Sequence, residues 1–589
     1  MFSKVLVANR GEIAVRIIRA LEELGIASVA VYSELDRDAV HVSRADEAYL
    51  LGPAEPSASY LNIARLLEVA AESGAQAVHP GYGFLAENAG FAAACEDAGI
   101  LFIGPPSSAI EAMGSKTGAR SLMAAAGVPI VPGTTAPVKT VAAARKLIDA
   151  GIGYPVAVKA SGGGGGKGLR IAQSEAELAD AFEGAAREGE RFFGDATVYL
   201  ERYLSDPRHV EVQVLADGHG NVVHLGERDC SVQRRHQKLI EESPAAPWIV
   251  DAAMRQRIGE IAVEAARAVD YRGAGTIEGL LVGEDYYFLE MNTRVQVEHC
   301  VTEMTTGIDI VKTGIRVAAG EPLPFTQEDV VLRGHAIECR INAEDAARRF
   351  LPTPGAIVDY REPSGPGVRV DSGVSAGSVI SPNYDPMVAK LIVWDSDRAA
   401  ATKRMLRALG EFEITGLTTL LPFHRQLLAT AQWQAGETCR DLVEDEAWLA
   451  TLAPEATEPQ DPPADPEETV TLGYTVEVSG RRFDVRVSGP PSNGTARATR
   501  ARPKRAERSG GATTAGPSGD VLASPMQGTV LKIAVETGAK VEQGTLIAII
   551  EAMKMENEVT AHKSGTVAEL PISVGASVAS GDTLAVIRS

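Results

Sequence analysis

The C-terminal part of the chain repeats itself. Gly528-Thr529-Val530, Gly538-Ala539, Val541 and Gly544 recur at an offset of 565 − 528, or 37 residues, as Gly565-Thr566-Val567, Gly575-Ala576, Val578 and Gly581. Such self-similarity demands two like units, and the short apolar runs make them β-halves of a flattened barrel or sandwich. Between the halves stands Glu551-Ala552-Met553-Lys554-Met555-Glu556-Asn557. Residues 545–550 before it and 558–561 after it read as strands, which puts Lys554 at a hairpin tip. An ordinary exposed lysine is the plain reading of such a position. Two methionines beside it are apolar groups that a surface normally avoids, so something should read or cover them.

The chain has 589 residues, 45% of them apolar, enough for roughly three to five domains. A formal net charge of −21 argues against nucleic-acid or membrane-surface binding by general electrostatics. Cys95, Cys230, Cys300, Cys339 and Cys439 are scattered without a Cys-x-x-Cys pair, which fits a reducing cytosol and excludes a structural zinc ribbon. A strand begins by residue 4 with no leader before it, and no apolar run reaches the ~18 residues of a membrane span, so a cytoplasmic location is expected.

Residues 4–8 form a strand, 12–24 a helix with Ile13, Ile17, Leu21 and Leu24 on one face, and 27–32 a second strand, a βαβ unit. Alternation continues through Ala77-Val78 and Ile100-Leu101-Phe102-Ile103, predicting a parallel α/β domain to residue 113. The connection His79-Pro80-Gly81-Tyr82-Gly83-Phe84 is a candidate ligand loop and equally a plain turn. Further on, the strand Tyr154-Pro155-Val156-Ala157-Val158-Lys159 precedes Ser161-Gly162-Gly163-Gly164-Gly165-Gly166-Lys167-Gly168 and the strand Leu169-Arg170-Ile171. A P-loop needs glycine where Ser161 stands and Ser or Thr where Gly168 stands. A dinucleotide fingerprint fits Gly163, Gly165 and Gly168 formally but must open a helix. What remains is a glycine loop between strands whose bare amides can close over phosphates, with a flexible linker as the alternative.

Residues 197–200 and 209–214 read as strands around Glu201-Arg202-Tyr203-Leu204. Gln233-Arg234-Arg235-His236-Gln237-Lys238 offers nitrogen donors to phosphate or bicarbonate, or is a solvated basic loop. Residues 276–282 and 286–292 flank Gly283-Glu284-Asp285, and pairing Val282 with Tyr286 sets Glu278 opposite Glu290. Facing carboxylates repel unless a divalent cation lies between them, and Asn292 adds an oxygen on the same face. Oxygen-only ligands suit magnesium better than zinc, although a one-residue slip would undo the pairing. Downstream, Arg294, Gln296 and Glu298 alternate with Val295 and Val297. As a strand they would gather a cation, an amide and a carboxylate on one face, fit to hold and deprotonate a small anion, or would form a surface strand with an ion pair.

A further domain runs over 334–447. Prolines at 454, 459, 462, 463 and 466 mark a linker, residues 470–487 a short β-like piece, and 490–519 a Pro/Gly/Ser/Thr/Ala-rich tether with six basic residues. Such a tether reaches roughly 30 Å on average and near ~100 Å when extended, far enough to swing the C-terminal domain between sites. Its basic run is a solvated linker or a dock for an acidic surface.

Several motifs together carry a family resemblance: Ala8-Asn9-Arg10-Gly11-Glu12-Ile13-Ala14, the 79–84 loop, the glycine loop, Arg228-Asp229-Cys230-Ser231, Glu290-Met291-Asn292-Thr293-Arg294-Val295-Gln296-Val297-Glu298-His299 and Glu338-Cys339-Arg340-Ile341-Asn342-Ala343-Glu344. Residues 1–447 resemble the biotin carboxylase component of biotin-dependent carboxylases. Residues 520–589 resemble its biotinyl carrier, whose modified lysine lies in an Ala-Met-Lys-Met motif that is intact here around Lys554. Lipoyl domains share that fold but normally lack the paired methionines. The resemblance implies an α/β and α+β multidomain chain: an N-terminal parallel α/β domain (1–113), an ATP-grasp domain with a glycine-rich lid (114–333), a biotin carboxylase C-terminal domain (334–447), a linker with a tether (448–519) and an all-β biotinyl domain (520–589).

By position, the resemblance implies that Lys116, Lys159, Gly165, Gly166, Glu201, Arg202, Tyr203, Leu204, His209, Gln233 and His236 hold ATP. Glu278, Glu290 and Asn292 would hold magnesium, or manganese in its place, and Lys238, Arg294, Gln296, Val297 and Glu298 bicarbonate. Glu298 would be the base, Arg294 its orienting cation, Lys238 a further catalytic cation, and Arg340 the group that stabilises deprotonated biotin. The implied activity is ATP- and bicarbonate-dependent carboxylation of biotin on Lys554, which biotin protein ligase would attach. The carboxyl group would pass to a separate carboxyltransferase β-subunit for acetyl- or propionyl-CoA, in an oligomeric complex serving fatty acid biosynthesis. No carboxyltransferase domain is visible, and 448–519 is shorter than the β-barrel docking domain of larger α-subunits, as in the short bacterial type. The alternatives are the ATP-using subunit of a pyruvate carboxylase and a lipoylated carrier with a silent ATP-grasp fold.

Overall fold

The structure is a computed structural model that describes residues 1–134, 136–160, 169–193, 196–452, 470–478, 481–489, 520–524, 528–552, 555–578 and 581–588. Gly165 and Gly166 of the glycine loop, Lys554, and the 453–469 and 490–519 linkers lie outside them. At the N-terminus a parallel five-stranded sheet has the order Glu47–Gly52, Ala27–Ser33, Lys4–Val7, Ala77–His79, Leu101–Phe102. The predicted helix is Gly11–Glu23, and Ile13, Ile17 and Leu21 are buried on its inner face. The edge strand Glu47–Gly52 has no sequence forecast, because it is half exposed and its pattern is mixed.

A small antiparallel sheet of Leu169–Ala172, Val156–Ala160 and Val198–Arg202 brings Lys159 opposite Leu169 on either side of the glycine loop. The centre of the molecule is an eight-stranded antiparallel sheet ordered Asp285–Asn292, Gly273–Val282, Arg208–Ala216, Val222–Arg234, Gln237–Ser243, His335–Asn342, Met387–Asp395 and Val368–Ser372. Backbone pairing of Gln237–Ser243 with His335–Asn342 joins strands from either side of the expected division between residues 333 and 334, so one continuous sheet supports side chains from both.

The hairpin of facing carboxylates corrects the sequence reading in its details. The turn holds two residues, not three: Val282 pairs with Asp285, and Gly283 takes a left-handed φ of 59°. That moves the register by one. A bulge between Glu278 and Gly279, with Leu289 as the extra residue, moves it back, so Glu278 does face Glu290. Gly279 is required there, because a Cβ would fall 2.2 Å from the Tyr286 ring.

The C-terminal domain shows the repeat as geometry. One four-stranded sheet is Val521–Ala523, Thr583–Arg588, Gly565–Glu569, Lys540–Val541, and the other is Met555–Thr560, Leu546–Ala552, Gly528–Ile533, Ser577–Val578. Strand for strand the two orders are related by the offset seen in the sequence, and Ile547, Ile550, Leu584 and Ile587 fill the space between them. The hairpin is paired up to Ala552 opposite Met555. The β-like piece is a hairpin of Val470–Val478 and Arg481–Gly489. Among the described residues no helix is long and apolar enough to cross a membrane.

Candidate active site

The site is built on one polar face of the central sheet. His209, Glu211 and Gln213 alternate along Arg208–Ala216, and Arg228 on the neighbouring strand is completely buried. Burying a guanidinium is costly unless every N–H finds an acceptor. Here all five do: Arg228 donates to Glu211 Oε1 (2.6 Å), Gln213 Oε1 (2.7 Å), Thr302 Oγ1 (3.0 Å), Thr276 Oγ1 (3.1 Å) and Gln296 Oε1 (2.6 Å). This rigid node ties three strands to the 293–298 segment and the helix His299–Thr306.

Beside it, the ammonium of Lys238 meets three carboxylates: Glu211, Glu278 at 2.8 Å and Glu298 at 2.6 Å. Burial opposes its charge, but Glu211, Glu298 and Glu278 outweigh that and hold it protonated. Arg340 grips the other oxygen of Glu298 at 2.9 Å and donates to Glu241 Oε1 at 2.6 Å. Glu298, 2% exposed, is therefore clamped between two cations. Burial alone would raise its pKa; Lys238 and then Arg340 more than reverse this, bringing it to about 2. Glu241, buried and with one oxygen unpartnered, is pushed up to about 7 by desolvation.

Glu278 Oε1 also accepts from Asn292 Nδ2 (2.8 Å) and Gln296 Nε2 (2.7 Å), while its other oxygen lies 3.1 Å from His209 Nε2. Burial would lower the His209 pKa, yet the neighbouring carboxylates of Glu211 and Glu278 raise it to about 9. Among the described residues Glu278, Glu290 and Asn292 offer an oxygen set for a cation, and in two further clusters, His209, Glu211 and Glu278, and Glu211, Cys230 and Glu298, the candidate ligand atoms lie within 4.8 Å of one another. Arg294 donates to Asn292 Oδ1 and Glu87 Oε2, both at 2.9 Å. Glu87 follows the 79–84 loop, which Asn9 pins through the carbonyls of Pro80 and Tyr82 at 2.7 Å each, so that loop borders the site.

The expected strand at 294–298 is absent. The chain leaves the sheet after Asn292 and runs as a loop into the helix His299–Thr306. Val295 is buried in the N-terminal core while Gln296 and Glu298 turn to the charged cluster, and this two-sided burial produces the alternation without a ladder. Toward the glycine loop, Glu201 accepts from Arg120 at 2.5 Å and from Lys159. Arg202 instead holds the carbonyls of Ile152 (2.6 Å) and Gly151 (3.2 Å), and half-buried Tyr203 and Leu204 continue the chain beyond the strand. Gln233 donates to the Cys230 carbonyl at 2.7 Å, and His236 is exposed in a turn with a φ of 68°. Lys116 begins the helix Lys116–Ala125. Sequence reasoning missed Glu211, Glu241, Glu87, Arg120 and the role of Arg228. Only Glu211 left a signal, two residues from His209 on a clean alternation.

The same strand as Lys238 carries a stability switch. His335 (2.9 Å) and Arg398 (2.6 Å) hold buried Glu242 at about 2 against the upward push of burial. A depressed carboxylate stabilises the fold above its unfolded pKa and loses that contribution as pH falls through the folded value. Melting midpoints should therefore drop between pH ~4.5 and ~2, the contribution amounting to about 3 kcal/mol, and Glu242→Gln should flatten that acid slope.

Family profiles match as "Biotin carboxylase, N-terminal domain" over 1–110, "Carbamoyl-phosphate synthase L chain, ATP binding domain" over 115–326, "Biotin carboxylase C-terminal domain" over 338–445 and "Biotin-requiring enzyme" over 520–587. The biotin-dependent acyl-coenzyme A carboxylase alpha3 subunit of Mycobacterium leprae is 48% identical over 576 residues, covering 95% of this chain and 94% of that one. The chain belongs to the biotin-dependent carboxylases. It is a biotin carboxylase of the ATP-grasp type joined to a biotinyl domain, and its reaction is ATP-driven, biotin-dependent carboxylation. One of the pyruvate carboxylase subunits of Methanothermobacter thermautotrophicus is 54% identical over 445 residues, 76% of this carboxylase and 90% of the relative. The biotin carboxylase domain of Hydrogenobacter thermophilus 2-oxoglutarate carboxylase, solved with MgADP, ADP and bicarbonate, superposes with a TM-score of 0.69 at 48% identity, covering 76% of this chain and 99% of that one.

Proposed function

We propose that the enzyme uses ATP and bicarbonate to carboxylate biotin on its own Lys554, and that a separate carboxyltransferase then moves the carboxyl group to a short acyl-CoA of the acetyl or propionyl type. The observation that carries this reading is Glu298 clamped between Lys238 and Arg340. Bicarbonate is a poor electrophile, and phosphorylation by ATP makes it carboxyphosphate. Lys238, Arg294 and Gln296 hold the anion. Glu298 is ionised but weakly basic while two cations hold it; an anion bound at those cations offsets their pull and raises its proton affinity, making it a base. Arg340 stabilises the oxyanion that develops as the ureido nitrogen is deprotonated. The oxygen set of Glu278, Glu290 and Asn292 fits magnesium, which would offset charge on the transferring phosphoryl group. Lys116, Lys159, Gly165, Gly166, Glu201 with its neighbours through Leu204, His209, Gln233 and His236 hold ATP. We take the domains as divided near 113, 333, 447 and 519.

The acyl-CoA reading is favoured because the M. leprae relative matches through the carrier, whereas the pyruvate carboxylase relative matches over 445 residues only. Lys554→Arg is expected to abolish streptavidin reactivity and acyl-CoA carboxylation with a co-purified partner, while ATP cleavage driven by free biotin persists. Lipoate at Lys554, or carboxylation of pyruvate in place of acyl-CoA, would overturn the reading.

A further inference from the structure

The helix His299–Thr306 packs Cys300 and Val301 on Ala336 and Ile392 of the sheet, and a charged cluster lies beside that apolar contact. Beneath its start, Lys390 on the strand Met387–Asp395 has no exposed surface, and its ammonium donates to the carbonyl oxygen of Val297 at 2.7 Å. The same ammonium lies 3.1 Å from Cys300 Sγ, 3.3 Å from Glu12 Oε1 and 3.7 Å from Asp371 Oδ2, and Glu12 in turn accepts from Tyr82. Burial opposes the charge, and the surrounding acidic groups, Glu12 and Glu338 among them, outweigh it. Buried ion pairs of this kind add little net stability compared with apolar groups of equal volume. The gain from a lysine here is geometric. The carbonyl it holds belongs to the peptide joining Val297 to Glu298, and Glu298 sits at φ −84°, ψ 10°, in a sparsely populated backbone region just before the helix. Rotating that peptide would swing the Glu298 carboxylate out of its clamp.

We infer that Lys390 is a positioning residue for Glu298, acting through the Val297 carbonyl from the same face of the sheet as Arg340, its cross-strand partner; the inference rests on the role proposed above for Glu298. A displacement of ~1 Å at a catalytic group costs on the order of 100-fold in rate. In the full chain with free biotin, Lys390→Met should therefore lose about 30- to 100-fold in bicarbonate-dependent ATP cleavage, with the KM for ATP and the slow bicarbonate-independent hydrolysis within about twofold of the parent. Lys390→Arg, too large and planar for the enclosed site, should lose about tenfold in the same rate. Bicarbonate-dependent turnover within about threefold of the parent in Lys390→Met, or in Lys390→Arg should the first variant not fold, overturns the inference, as does equal loss of both rates, the mark of general damage. Parent and Glu298→Gln are measured alongside. If the parent has no bicarbonate stimulation, or Glu298→Gln keeps it, the role of Glu298 itself fails, a result separate from failure at Lys390.

Discussion

Arg340→Ala is expected to lower bicarbonate- and biotin-dependent ATP cleavage by about 10²- to 10³-fold, the range lost when a donor to a developing oxyanion is removed. Arg340 is the group that touches both Glu298 and Glu241, and its charge survives burial because those two carboxylates and Glu338 surround it. The loss should fall on turnover, because Lys159 and Glu201, proposed above to hold ATP, lie on the separate three-stranded sheet. Removing one partner of a buried pair also destabilises by about 3–5 kcal/mol, so the assay belongs below the variant's melting midpoint. Steady-state ATP cleavage with and without biotin checks this. Turnover within about threefold of the parent would take Arg340 out of the transition state.

Glu298→Gln should cost about 10²- to 10⁴-fold, the usual contribution of a positioned general base. The amide keeps the shape of the carboxylate and part of its bonding to Lys238 and Arg340, so loss of activity without loss of fold is the expected pattern. Its pH signature is specific. A carboxylate held at about 2 is ionised, and hence competent, above that value and is lost only as pH falls through it. The kcat/KM for bicarbonate should therefore show no acid limb belonging to Glu298 in the neutral range. A limb near pH ~6 that vanishes in Glu298→Gln would contradict the clamp, since an unclamped buried carboxylate would titrate there.

Much of the fold and site is legible in the sequence, for reasons that differ from residue to residue. The biotinyl sandwich follows from the repeat, because a fixed offset of glycines and valines leaves two like sheets as the simple packing. The first βαβ unit follows from helical spacing next to short apolar runs. Glu278 facing Glu290 follows only through two compensating local errors, a turn one residue shorter than expected and a bulge that restores the register. At Arg294, Gln296 and Glu298 the alternation is real but its cause is not a strand. A loop buried on both sides produces the same pattern, and sequence cannot separate the two. Arg228 and Lys390 are illegible as site residues. Nothing local marks a charged side chain as wholly buried; their partners lie up to 378 residues away, as from Glu12 to Lys390, and are assembled only by the continuous sheet.

On the proposed function, this single chain moves a carboxyl group from bicarbonate to its own carrier at the Glu298 clamp. The direct measurement is transfer of label from radiolabelled bicarbonate to the purified biotinylated protein in the presence of MgATP. Acid-labile label is expected in proportion to bound biotin, absent after avidin capture and formed at least about 100-fold more slowly in Glu298→Gln. Label that forms without ATP, or forms at the parent rate in Glu298→Gln, would contradict it.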